Sequence, residues 1–311
     1  MSSTLTSPAP ALTCSADRLH YLISKVRSVP DEARRFAVTA AGARTAHRLD
    51  ASQLSDLVEA GLPSVGPTDA ADQSLFDDYD LGNIALHLGL MSVRRRAIRS
   101  WTNALRRACE QETTRVRVGF VPRCPVAGHA GSCRYSVLGP GGRREVHEGA
   151  SNGTDPVAAV DLDLACTWPE VGPAARALIE ELADVDFFIL PEVVRWDPAF
   201  MRTARIADCG GAAEWLVAEG RRRGLETRFS FGLLVARPYS TPHCWAEFRT
   251  EGVWVPVDPL LIGVIRSLGL ESWPLHHSIG PITSRLCSRF TKLVEHDGVW
   301  TPLSLPTQWL P

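Results

Sequence analysis

The chain has 311 residues, enough for one large domain or two smaller ones. Its 33 basic and 35 acidic residues leave a net charge of −2, which argues against a general nucleic-acid or polyanion binder. Hydrophobic residues make up 45% and charged residues 22%, a globular composition, and no apolar run approaches the roughly 18–20 residues of a membrane span, so no membrane partner is expected.

Residues 1–15 are rich in Ser, Thr and Pro and read as a disordered tail. They carry neither a basic n-region nor an apolar h-region, so the expectation is a cytoplasmic protein with reduced thiols. Residues 16–115 read as a helical accessory region, a candidate surface for a protein partner. SADRLHYLISKV follows Ser15, a helix cap; DASQLSDLVEAGLP has a cap at Asp50 or Ser52 and a Gly-Leu-Pro stop. The stretch 75–110 supports one long helix or two short ones, and its run Arg94 to Arg96 reads as a solvated face. Residues 116–311 change texture and read as the catalytic domain. RVRVGFV and RYSVLG are strand-like, GPGG at 139–142 is a turn, residues 172–184 are helical and VDFFIL is a strand.

Several motifs fail on inspection. GASNG at 149–153 fits the G-x-S-x-G pattern, with Ser151 as nucleophile, but that chemistry needs a tight strand-to-helix turn and the flanks are polar. Cys124, His129 and Cys133 lie close together in CPVAGHAGSC, yet a zinc site takes four ligands and usually a short C-x₂₋₄-C pair, which is absent. His276 and His277 are adjacent and point apart in a strand. With no phosphate-binding loop either, neither a metal nor another cofactor is expected.

Residues 206–261 are different. Asp208 is a cap, so a helix begins at Cys209, and Ala212, Ala213, Leu216 and Val217 share one face with that cysteine. A thiol in the first turn of a helix sits among free backbone N–H groups that favour thiolate. TRFSFGLLV then alternates as a strand. PHCWAEFRT and VWVPVDP form a hairpin around Glu251-Gly252. With a two-residue loop, Asp258 faces Trp245 and shares a sheet face with His243; a three-residue loop would turn Asp258 to the other face. A thiol, an imidazole and a carboxylate in this arrangement follow the logic of a nucleophilic triad.

At these residues the chain resembles the transglutaminase-like cysteine superfamily. The resemblance rests on A-D-C at 207–209, G-L-E-T-R at 224–228, H-C-W-A-E at 243–247 and W-V-P-V-D-P at 254–259, in order and compactly spaced. Ala207 stands where the family usually has Gly, and Cys244 where it has Ala. The resemblance implies an α+β, cysteine-protease-like core, with the nucleophile helix packed on an antiparallel sheet. It implies Cys209 as nucleophile, His243 as base and Asp258 as orienting acid, with Trp168 or Trp196 as an indole donor to the oxyanion beside the Cys209 N–H. The implied activity is acyl transfer through a thioester, from a peptide, amide or carrier-bound acyl substrate, without a cofactor. Hydrolysis of the same thioester by a peptidase or amidase is the alternative. A core kept only as an interaction module is the non-enzymatic one.

Overall fold

The computed structural model describes residues 15–66 and 71–311. The expected tail therefore lies outside the described residues, save for Ser15. The Ser15 hydroxyl accepts the Arg18 N–H at 3.3 Å and starts α1 (Ala16–Arg27). Asp50, rather than Ser52, starts α2 (Ala51–Glu59) through a reciprocal capping box. Its carboxylate accepts the Gln53 N–H at 2.9 Å, and the Gln53 amide oxygen accepts the Asp50 N–H at 3.0 Å. The stretch 75–110 forms two helices, α3 (Asp78–His87) and α4 (Val93–Ala108). Between them Gly89 takes a φ of 74°, the left-handed conformation that ends a helix without a Cβ clash. The Arg run is not a simple solvated face. Arg94 lies 3.4 Å from the Asp78 carboxylate, and Arg95 donates to the Leu86 carbonyl in the last turn of α3 at 3.4 Å.

Two compact units are present. The first comprises the described residues of Met1–Ala97 together with Phe188–Ile206; the second comprises Ile98–Phe187 and Ala207–Pro311. The division falls inside α4, while the change of texture in the sequence lies near residue 115. Residues 188–206 return to the helical unit because their apolar side chains are needed there. Phe188, Leu190 and Ile206 share one buried cluster with Leu22, Leu49, Leu57 and Leu81. This also explains why VDFFIL yields only a two-residue strand, Asp186–Phe187. The Ile189 backbone is instead paired by a side chain: Asn83 donates to its carbonyl and accepts its N–H, both at 2.9 Å.

The second unit is built on antiparallel sheets. β1 (Thr113–Pro122), β2 (Ser132–Leu138), β3 (Arg144–Ala150) and β4 (Ala158–Ala165) come from its first stretch. β5 (Thr227–Leu234), β6 (Thr241–Thr250), β7 (Val253–Val257) and β8 (Thr283–Cys287) form a sheet in the order β7-β6-β5-β8. β9 (Val294–His296) pairs with β2, and β2 with β3. The second unit also holds helices α5 (Pro173–Glu180), α6 (Cys209–Arg222) and α7 (Pro259–Arg266). α6 packs on β6 and β5. The alternation of Phe229, Phe231 and Leu233 in β5 suggests one buried face, yet Ser230 and Gly232 are buried too, because this strand is internal and covered on both sides. Gly232 is required there: a Cβ would stand 2.0 Å from the Ser284 carbonyl oxygen of β8. The protein is thus of mixed α+β class. Among the described residues, no helix is long and apolar enough to cross a membrane.

Candidate active site

The site begins with a cap and a turn. The Asp208 side chain accepts the Gly211 N–H at 3.0 Å, which fixes the start of α6 and puts half-buried Cys209 at its first position. Glu251 and Gly252 both take positive φ, 51° and 81°, as a type I′ turn demands. The hairpin register follows: Thr250 pairs with Val253, Arg249 with Trp254 and Ala246 with Val257. One further step in this register sets Asp258 opposite Trp245, on the face that His243 shares.

His243 and Asp258 meet there. The ring Nε2 lies 2.7 Å from Asp258 Oδ2, with His243 6% and Asp258 2% exposed, so water does not compete for the bond. The second Asp258 oxygen accepts the Leu261 N–H at 3.0 Å and caps α7, whose first residue is Pro259. The carboxylate therefore serves two structures at once. Cys209 hydrogen-bonds the same imidazole. With Nε2 committed to Asp258, Nδ1 is the nitrogen left for the thiol. Burial by itself would depress the His243 pKa, but the charge of Cys209 and the hydrogen bond and charge of Asp258 outweigh it and raise that pKa to about 10. The arrangement therefore favours the protonated imidazole.

Aromatic rings hold the imidazole in place. Trp101 of α4 and Trp245 of β6 both stand with ring centroids 6.4 Å from that of His243. Trp245 is fixed in turn, because its indole N–H donates to Glu247 Oε1 at 2.9 Å. The buried Glu247 takes Arg228 on its other oxygen, Nε to Oε2 at 2.6 Å, from the paired position on β5. Arg228 stacks over Trp254 at 4.4 Å.

Residues 183–259 match the family model of the transglutaminase-like superfamily. No curated protein gives a significant match to the chain. The transglutaminase-like segment contains Cys209, His243 and Asp258, and members of that superfamily are in general cysteine enzymes. Each short motif of the segment has a physical role: A-D-C is a helix cap and its first residue, H-C-W-A-E carries the imidazole and the Trp245–Glu247 support, and V-D-P ends a strand and starts a helix.

Both indoles considered as oxyanion donors have contacts of their own. The Trp168 N–H is committed to the Ala165 carbonyl at 2.7 Å, and its ring fills the space a side chain at Gly280 would take. Trp196 belongs to the first unit, with the Arg195 guanidinium 5.9 Å from its ring. Ser151 sits in a turn after β3 that leads to a strand and not to a helix, so no nucleophile elbow exists there. Cys244 is buried at 3% exposure. Sequence reasoning missed two features beside the triad. One is Trp101, which carries no local signal because it reaches His243 from a distant helix. The other is the capping role of Asp258, which the Asp-Pro dipeptide does signal.

Proposed function

We propose that this protein is a transglutaminase-like cysteine acyltransferase, with Cys209 as nucleophile, His243 as general base and acid, and Asp258 as the residue that orients the imidazole. One observation carries the reading: a buried imidazole engaged on one side by a thiol at a helix start and on the other by a carboxylate. In the first step Cys209 Sγ attacks the carbonyl carbon of an amide or ester, its proton having passed to His243. The carbonyl π bond opens to an oxyanion, which the backbone N–H of Cys209 receives. Collapse of that intermediate breaks the bond to the amine or alcohol, which leaves with the proton from His243, and a thioester remains. An incoming amine gives up a proton to His243, forms the new amide bond and returns the thiol. Water in place of the amine gives hydrolysis by the same steps. The acyl donor is a peptide, a small amide or a carrier-bound acyl group, the first unit offers a surface for a protein partner, and the setting is the reducing cytoplasm, where Cys209 stays reduced.

Iodoacetamide at neutral pH tests the site. The expected result is alkylation of Cys209 well ahead of the other cysteines, and a stable acyl adduct on Cys209 by intact mass after exposure to p-nitrophenyl acetate. Slow, uniform labelling of all the thiols would leave the core an interaction module and end the enzymatic reading. Adding an alkylamine to the acylated protein then separates amide formation from release of the free acid.

A further inference from the structure

We propose that Cys124, His129, Cys133 and His296 form a structural, tetrahedral zinc site. The four residues come from three places in the second unit. Cys124 and His129 lie in the loop after β1, Cys133 is on β2, and His296 ends β9. Strand pairing assembles them, since His296 is opposite Tyr135 in the β9–β2 ladder, two positions from Cys133. The ligand atoms of Cys124, Cys133 and His296 all lie within 4.8 Å of one another. His129 Nδ1 stands 3.3 Å from Cys124 Sγ and 3.2 Å from Cys133 Sγ, but it lies outside that mutual set: its ring stacks on His296 with centroids 6.4 Å apart, so it must swing toward the ion to complete the tetrahedron. Zinc bonds of about 2.3 Å to sulfur and about 2.0 Å to nitrogen give tetrahedral S···N edges of about 3.5 Å, close to this spacing.

The surroundings fit a metal better than they fit a hydrogen-bonded thiol pair. His296 Nδ1 donates to the Arg134 carbonyl at 3.0 Å, which turns Nε2 toward the ion, the usual outer support of a metal-bound imidazole. The exposed Asp297 carboxylate lies 3.5 Å from that Nε2 and adds negative charge beside the cation. The Val126 N–H donates to Cys124 Sγ at 3.4 Å, and such a bond stabilises a thiolate. Gly128 and Gly131 take φ of 74° and 122°, which folds the exposed loop so that His129 turns back over the two sulfurs. Binding releases two thiol protons and gives two thiolates and two neutral imidazoles around Zn²⁺, a complex with no net charge. All four positions are filled by protein, so the ion has no open position for chemistry, and its work is to tie the 123–131 loop to β2 and β9.

The test uses the full chain, purified under reducing conditions, reconstituted with zinc or cobalt(II) and freed of loose metal. About one equivalent of zinc per chain is expected, and cobalt should give thiolate charge-transfer and intense tetrahedral d–d bands. The Cys124→Ser/Cys133→Ser double variant should lower zinc retention at least about tenfold, while Cys109→Ser/Cys166→Ser should leave it unchanged. A wild-type chain that retains less than about a tenth of an equivalent, or an octahedral cobalt spectrum, overturns the site. If the double variant does not fold, His129→Ala on the exposed loop decides: the cobalt spectrum must change as one nitrogen ligand is replaced by solvent, and an unchanged spectrum removes His129 from the site.

Discussion

The second unit brings cysteine and histidine together twice, and the two clusters differ in what stands behind the imidazole. At Cys209 one thiol meets one histidine, a buried carboxylate holds the far nitrogen, and the half-buried cysteine stands at a helix start. At Cys124 two thiols meet two histidines, and a backbone carbonyl holds the far nitrogen of His296. A carboxylate stabilises a charged imidazolium. A neutral carbonyl stabilises the neutral tautomer, which keeps a lone pair free for a metal. The same two residue types thus stand against a carboxylate in one place and a backbone carbonyl in the other, which suits the first to the proposed proton transfer and the second to the proposed metal.

The sharpest break of that comparison is Cys209→Ala. Acylation by p-nitrophenyl acetate, followed by intact mass, should disappear while the unfolding transition stays cooperative; residual acylation at that position's expense elsewhere would sink the mechanism. His243→Ala should slow iodoacetamide modification of Cys209 by about 10²-fold, the range of general base catalysis. Asp258→Asn keeps a cap but removes the charge that stabilises the imidazolium, so acylation should slow without loss of the fold, whereas Asp258→Ala should add about 1 kcal/mol of destabilisation from the lost cap, read by urea denaturation. Glu247→Ala leaves the Trp245 N–H and the one-third-exposed Arg228 without their partner. It should destabilise the fold by about 2–3 kcal/mol while leaving zinc content at wild-type level. Stability should also depend on pH. His243 has a folded pKa of about 10 against an ordinary 6.5. The folded state therefore binds the extra proton between those values, and the stability this confers is full below 6.5 and lost as pH rises through about 10. Urea midpoints of the wild type should fall relative to His243→Ala over that window; parallel curves would show that the imidazole is not held charged.

What was legible in the sequence was local. The hairpin register follows from a two-residue turn, and with it the face shared by His243 and Asp258. The caps at Ser15, Asp50 and Asp208 follow from residue type, and the α6 face from its period. What was hidden depends on contacts between distant stretches. Residues 188–206 have strand-like composition, and only the helical core they complete explains why they leave the sheet. Arg94 and Arg95 look like a solvated run until α3 offers them a carboxylate and a carbonyl. Cys124 and Cys133 lack the short spacing of a zinc motif, because the fourth ligand, His296, arrives by strand pairing from the far end of the chain. The coarse chemistry of the candidate site was readable for the opposite reason: Cys209, His243 and Asp258 each sit at a position defined by its immediate neighbours.

The two oxygens of Asp258 have one more consequence. Because one is anchored to the first turn of α7 and the other to the His243 ring, neither torsion of that side chain is free to relax when the proton moves. The carboxylate is thus aligned in advance for a change of charge on the imidazole, and under the proposed mechanism the anchor on α7 would lower the reorganisation that the step requires.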